Sequence, residues 1–122
     1  MSITADLIRG HTDAIILAKL ITGDSYGYSI NKTIKEETYG QYELKEATLY
    51  SVFRRLESEG LIVSYWGDGD TGARRRYYSI TDKGRHAYHV HLEEWNHACK
   101  IITRLIKADT KDGIGGNDER YI

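Results

Sequence analysis

The sequence contains no proline and a single cysteine, Cys99, in 122 residues. Without proline rings to stop them, helices are expected to end at glycines, and Gly23, Gly40, Gly60 and Gly84 supply most of the punctuation. One cysteine cannot close an internal disulfide. Nothing reads as a secretory signal, so a reducing cytoplasm is the expected compartment. No apolar run is long enough to read as a membrane span, and no repeat or low-complexity tract occurs. Catalytic signatures are missing as well. His86, His89, His91 and His97 with Cys99 form neither a CxxC nor an HExxH arrangement, and no nucleophile motif accompanies them. An enzyme is therefore not expected, and no cofactor is implied.

Neither sign of charge is in excess. Lys and Arg number 17 against 18 Asp and Glu, for a formal net charge of -1. A whole-chain sum says little about nucleic acid, because a phosphate backbone responds to a local basic patch. Such a patch exists: Arg74, Arg75, Arg76, Lys83 and Arg85 fall together with only Asp82 among them. The length fits one domain of ordinary size.

From Ala14 to Ile21 the chain reads AIILAKLI, a helix apolar on nearly every side that must be covered on more than one face. Asp24 or Ser25 is positioned to cap a second helix, in which Tyr26, Ile30 and Ile34 repeat at helical spacing and Gly40 ends the run. A third helix, about Lys45 to Glu59, carries Leu49, Val52, Phe53 and Leu56 in one apolar stripe. Ala47, Tyr50, Ser51 and Arg54 project from the other side. After Gly60 the period becomes alternating. LIVSYW and RRRYYSI read as two strands joined by the glycine-rich tip GDGDTGA. Thr81 and Asp82 offer caps for a last helix to about Ala108, with Tyr88, His91, Trp95, Ala98, Ile102 and Leu105 on a coiled-coil-like seam. The tail DTKDGIGGNDERYI has the composition of a flexible segment.

The expected fold is mostly α with a small β-hairpin, an α+β winged helix-turn-helix followed by a C-terminal dimerisation helix. Three parts are expected: a winged-helix DNA-binding domain over residues 1–81 whose N-terminal helix contributes to the dimer, a dimerisation helix over 82–108 and the flexible tail over 109–122. In this architecture the third helix enters the major groove and the hairpin is the wing. It needs an apolar back, a front of small or hydrogen-bonding side chains, and cations on the wing. Lys45, Ala47, Thr48, Tyr50, Ser51 and Arg54 form the expected reading front. Alternation sends Arg75 to the opposite face of its strand from Arg74 and Arg76. Arg74 and Arg75, nearest the tip, are the expected DNA contacts, with Arg76 supporting the sheet or the reading helix. Lys45 is a poor N-cap, although its charge could meet a phosphate there.

The segments EATLYSVFRRLESEGLI, SYWGD, GARRRYYSIT and DKG, with GDSYGYSI before them, resemble the PadR family of winged-helix transcriptional regulators over roughly Thr12 to Leu105. The EEWNHACKII pattern is closest to a short subgroup with a single C-terminal helix whose members respond to many drugs. The resemblance implies a homodimer that represses from double-stranded operator DNA and lets go when a small aromatic or planar compound binds at the dimer centre. Trp95 matches the tryptophan that sandwiches ligand there, and Ala14 and Ala18 match other pore positions. His91 and Cys99 share the Trp95 face by their spacing and depart from the subgroup. Trp95 is equally open to plain interface packing. Two other readings stay open: a winged-helix module that binds protein, and a metal-responsive regulator using the helix histidines.

Overall fold

Leu49, Val52, Phe53 and Leu56 are the buried back of a helix in the computed structural model, which describes residues 5–69 and 72–108. The helices are α1 (Ala5–Ile8), α2 (Thr12–Ile21), α3 (Gly27–Glu37), α4 (Glu46–Ser58) and α5 (Asp82–Ile106). The strands are β1 (Ser25–Tyr26), between α2 and α3, and β2 (Ile62–Asp68) and β3 (Arg74–Ile80), between α4 and α5. The α4 stripe meets Ile16, Leu17 and Leu20 of α2, Ile30 and Ile34 of α3, and Ile62, Tyr78 and Ile80 of the sheet in one apolar cluster. Each such side chain contributes about 1.5–3 kcal/mol when fully buried. Phe53 and Tyr78 stack at its centre with ring centroids 3.9 Å apart.

The uniformly apolar helix expected near the N-terminus is α2. Its Ile16, Leu17 and Leu20 are buried, whereas Ala14, Ile15, Ala18 and Ile21 are only half-buried. Arg55 of α4 donates to Asp13 of α2 through two short bonds, 2.5 and 2.6 Å, which ties the two helices together. The guanidinium is held protonated chiefly by that hydrogen bond to Asp13. α1 has no counterpart in the sequence expectations.

Neither Asp24 nor Ser25 caps α3. The helix starts at Gly27, with Tyr26 at the N-cap position and no side-chain cap. Ser25 and Tyr26 are instead drawn into the sheet, paired antiparallel with Tyr78 and Tyr77. Asp24 accepts the Tyr65 hydroxyl at 2.6 Å. The hairpin is thus extended to three strands in the order β1-β3-β2. At its other end α3 closes with paired bonds from Tyr39 N–H to Glu36 O and from Gly40 N–H to Lys35 O. Both residues are left-handed, Tyr39 at φ 54° and Gly40 at φ 79°. Gly40 therefore sits one residue beyond the position that glycine usually takes in this motif.

Two side chains set the path from α3 to α4. Asn31 donates to Leu44 O at 2.7 Å and accepts from Leu44 N–H at 2.8 Å. Thr38 Oγ1 donates to Ile34 O and accepts from Tyr42 N–H at 3.0 Å. The residue just before the α4 N-cap, Lys45, is therefore fixed by hydrogen bonds and by burial of the Leu44 side chain.

α5 begins where Thr81 Oγ1 accepts the Gly84 N–H at 3.0 Å and donates to Gly60 O at 2.7 Å. Gly84 was expected to punctuate a helix, but it lies inside the first turn of α5 and is buried against the Leu61 carbonyl. Ala87 and Tyr88 still pack on the core. Residues up to Tyr88 and residues from His89 onward are two separate compact units. Within the second, the expected seam is open: Trp95 is 43% exposed and Leu105 is 78% exposed. The helix ends at Ile106, slightly before the expected Ala108. The tail 109–122, and Asp70 and Thr71 of the hairpin tip, lie outside the described residues.

Candidate nucleic-acid interface

The front of α4 follows from its back. With Leu49, Val52, Phe53 and Leu56 inward, helical geometry leaves Ala47, Thr48, Tyr50, Ser51 and Arg54 outward, and all are exposed, as is Lys45 at the N-cap. Arg54 makes no ion pair among the described residues, unlike its neighbour Arg55. Glu46, in the first turn, matches the positive end of the helix dipole. Tyr50 is the most constrained of the group. Its ring meets Phe53 edge-on at 5.7 Å, and its hydroxyl lies so close to Gly27 that a Cβ there would be 2.9 Å away. Gly27 thus lets Tyr50 lie across the first turn of α3, in a cleft of about 200 Å³ lined also by Tyr28, Asn31 and Glu46.

The wing has two chemically distinct faces, because alternate residues of each strand share a side. On the α4 side, Ser64 donates to Glu57 at 2.6 Å, and Arg76 bonds Ser64 at 2.9 Å and approaches Glu57 at 3.6 Å. Trp66 pairs with Arg76 in register, and its ring carries the guanidiniums of Arg74 at 5.5 Å and Arg76 at 5.8 Å. On the other side, Tyr65 stacks on Tyr77, Tyr77 meets Tyr26 edge-on, and Arg75 lies 4.3 Å over Tyr26. The Tyr65 hydroxyl is held protonated above its ordinary value, chiefly by its bond to Asp24. The Tyr78 phenol is also pushed up, first by burial. The charges of Arg76 and Glu57 act on it in opposite directions.

The structure therefore gathers Lys45, Ala47, Thr48, Tyr50, Ser51 and Arg54 on one exposed face. It separates Arg74 and Arg76 from Arg75 across the hairpin, as alternation required. Ala14 and Ala18 lie half-buried on α2. His91, Trp95 and Cys99 follow one another at four-residue spacing along α5, with His91 half-buried and the other two exposed. Among the described residues, no three His, Cys, Asp or Glu side chains are arranged to hold a metal ion. None of the described helices is long and apolar enough to cross a membrane. Sequence reasoning missed Asn31 and Trp66. Asn31 acts on backbone thirteen residues away, which leaves no periodic trace. Trp66 could have been found from the alternation that places it between two arginines.

A helix with this exposed front, joined by a hydrogen-bonded turn to α3 and flanked by an arginine-bearing hairpin, coincides with a known family model. The transcriptional regulator PadR-like family matches residues 16–90. The chain belongs to this family. A transcriptional regulator from Clostridium thermocellum is 48% identical with a TM-score of 0.77, over 84% of this chain and 100% of its own. A PadR family transcription regulator from Clostridium difficile is 33% identical with a TM-score of 0.72, covering 80% of this chain and all of the other. Bacillus subtilis PadR, solved in complex with operator DNA, is 28% identical with a TM-score of 0.61, over 70% of this chain and 48% of its own. Among PadR-like proteins the chain is thus matched on both its helical and its strand elements, and it is mostly helical with a small three-stranded antiparallel sheet.

Proposed function

We propose that this PadR-family chain works as a homodimeric DNA-binding repressor that leaves its operator when a small aromatic or planar compound binds between the protomers. The observation that carries the DNA-binding part is the front of α4, which is small, hydroxyl-bearing and cationic over a rigid apolar back. The operator complex of Bacillus subtilis PadR supports it. Ala47, Thr48 and Ser51 allow close approach to base edges, Arg54 reaches a guanine or a phosphate, and Lys45 and Tyr50 take phosphates. Arg74 and Arg75, from opposite faces of the wing, take phosphates on either side of it.

Dimerisation is supported by burial arithmetic. α5 exposes Trp95, Ile101, Ile102, Leu105 and Ile106, a set that a second copy of the same helix can cover in a seam. In this reading residues 1–81 are the reading head, 82–108 the dimerisation helix, and two heads sit about one DNA turn apart. The ligand role follows the resemblance to the LmrR-like short subgroup: Trp95 stacks the compound, with His91, Cys99, Ala14 and Ala18 contributing to the lining.

The test of the first part is a gel-shift titration against the chain's own upstream region. Arg54→Ala and Tyr50→Phe weaken binding while leaving the dimer intact, and affinity falls steeply with salt. Equal affinity for wild type and both variants would sink the reading face, and no shift at low salt would sink DNA binding. For the ligand, cationic aromatic dyes quench tryptophan emission through Trp95 against the Trp66 background. Unchanged quenching in Trp95→Ala removes the pocket.

A further inference from the structure

Trp66 is one of two tryptophans in the chain, and it is 55% exposed although it sits in a sheet whose same-side neighbours Ile62, Tyr78 and Ile80 are buried. Burying its ring against the core would remove a large apolar area from water. The strand instead carries it past the end of the core and presents it to solvent. Its ring is not bare: the Arg74 and Arg76 guanidiniums both lie over the indole. Arg76 is anchored from beneath by Ser64 and Glu57. Arg74 is exposed and pairs in register with Asp68. An exposed aromatic plane held between two cations is poorly suited to an acidic protein surface, which would use the cations and leave the ring idle. It suits a ligand that alternates negative charge with flat or apolar surface, as the sugar-phosphate edge of nucleic acid does.

We infer that the Arg74, Trp66, Arg76 side of the wing is a second DNA contact surface, on which Trp66 packs against the deoxyribose wall beside the segment read by α4. The Arg74 guanidinium neutralises a phosphate beside that sugar, while Arg76, held by Ser64 and Glu57, braces the ring. Cation-π contact with the indole holds Arg74 extended before DNA arrives, so less side-chain freedom is lost on binding. The side adjoins α4, because Arg76 approaches Glu57 of α4 and Ser64 donates to the same carboxylate. This inference rests on the DNA-binding reading and adds to it a contact made by an aromatic side chain.

The experiment uses the full chain labelled with fluorotryptophan, which gives two fluorine resonances, the one from Trp66 being assigned by its loss in Trp66→Phe. A random-sequence duplex at low salt and a duplex from the chain's own upstream region are titrated in, while anisotropy of the dye-labelled duplex reports binding independently. The Trp66 resonance shifts on both duplexes as binding saturates. Trp66→Leu weakens binding roughly fivefold to tenfold, the lower end of what one aromatic contact to nucleic acid contributes. It leaves the slope of affinity against salt unchanged, because no phosphate contact is lost. Arg74→Ala lowers that slope by about one counterion. Saturated binding with an unmoved Trp66 resonance, or equal affinity in Trp66→Leu, overturns the wing contact and leaves DNA binding standing. No anisotropy change with either duplex overturns the DNA-binding reading itself.

Discussion

Gly84→Ala is the most demanding single test of how the wing is joined to α5. A Cβ at this position would be driven into the Leu61 carbonyl oxygen and would lie 2.7 Å from Ile80 Cγ1 and 3.1 Å from Leu61 C. Ordinary van der Waals contact starts near 3.4 Å, so Ile80 alone must retreat by roughly 0.7 Å. Leu61 has less room to give. Its N–H donates to Leu56 O at 2.9 Å, and its carbonyl accepts from Thr81 N–H at 3.1 Å. Forcing a methyl group into such a site costs about 1–3 kcal/mol, and losing the Thr81 bond adds about 1 kcal/mol. Alanine returns about 1 kcal/mol through its better helix propensity. The net loss is about 1–3 kcal/mol, which in a domain of this size lowers Tm by roughly 5–20 °C. Thermal melts of wild type and variant, run at one protein concentration because any self-association makes Tm depend on it, measure the difference. A variant melting at or above the wild-type temperature would show that α5 does not seat against Leu61 as described.

Three further outcomes follow from the same structure. Tyr39 is 92% exposed and sits at φ 54°, so Tyr39→Gly raises the urea midpoint by about 0.5–1 kcal/mol of stability, and a lowered midpoint would refute the left-handed assignment. Asn31→Ala removes both bonds to Leu44 and costs about 2 kcal/mol in urea unfolding. It also weakens duplex binding, because the residue preceding the α4 N-cap is freed; unchanged stability and affinity together would count against the clamp. The Tyr78 phenol is pushed above its ordinary value near 10, first by burial, so the folded chain holds that proton more tightly than the unfolded chain does. Its contribution is complete below pH 10 and is lost as pH rises through the folded-state value. Urea midpoints therefore fall in alkali, and Tyr78→Phe makes the fall shallower; an identical alkaline profile in the variant would contradict this.

What the sequence made legible was whatever repeats with a period. Leu49, Val52, Phe53 and Leu56 announced α4 and, by subtraction, its exposed front. The alternation in LIVSYW and RRRYYSI announced both long strands and the opposite pointing of Arg75. Contacts between distant residues were not legible. Ser25 and Tyr26 read as the start of a helix because two residues are too few to show a strand period, and only the free edge of β3 recruits them. Gly84 read as a stop signal because composition cannot tell a glycine chosen for φ from one chosen for close approach. The candidate ligand residues were legible only through resemblance, since a tryptophan on an apolar helix face carries the same pattern whether it packs or stacks a guest.

The two-residue strand β1 has a mechanical consequence. β3 is hydrogen-bonded on both sides, to β2 along its length and to Ser25 and Tyr26 near its middle, so the wing cannot flex without loading the residue that precedes α3. Arg75 over Tyr26 adds a second link at the same point. A strain applied to β3 is thereby transmitted to the first turn of α3, against which Tyr50 of α4 leans. The wing is in effect a lever whose fulcrum lies beside that helix, and the backbone amides of Gly27 and Tyr28 are where its movement would be felt first.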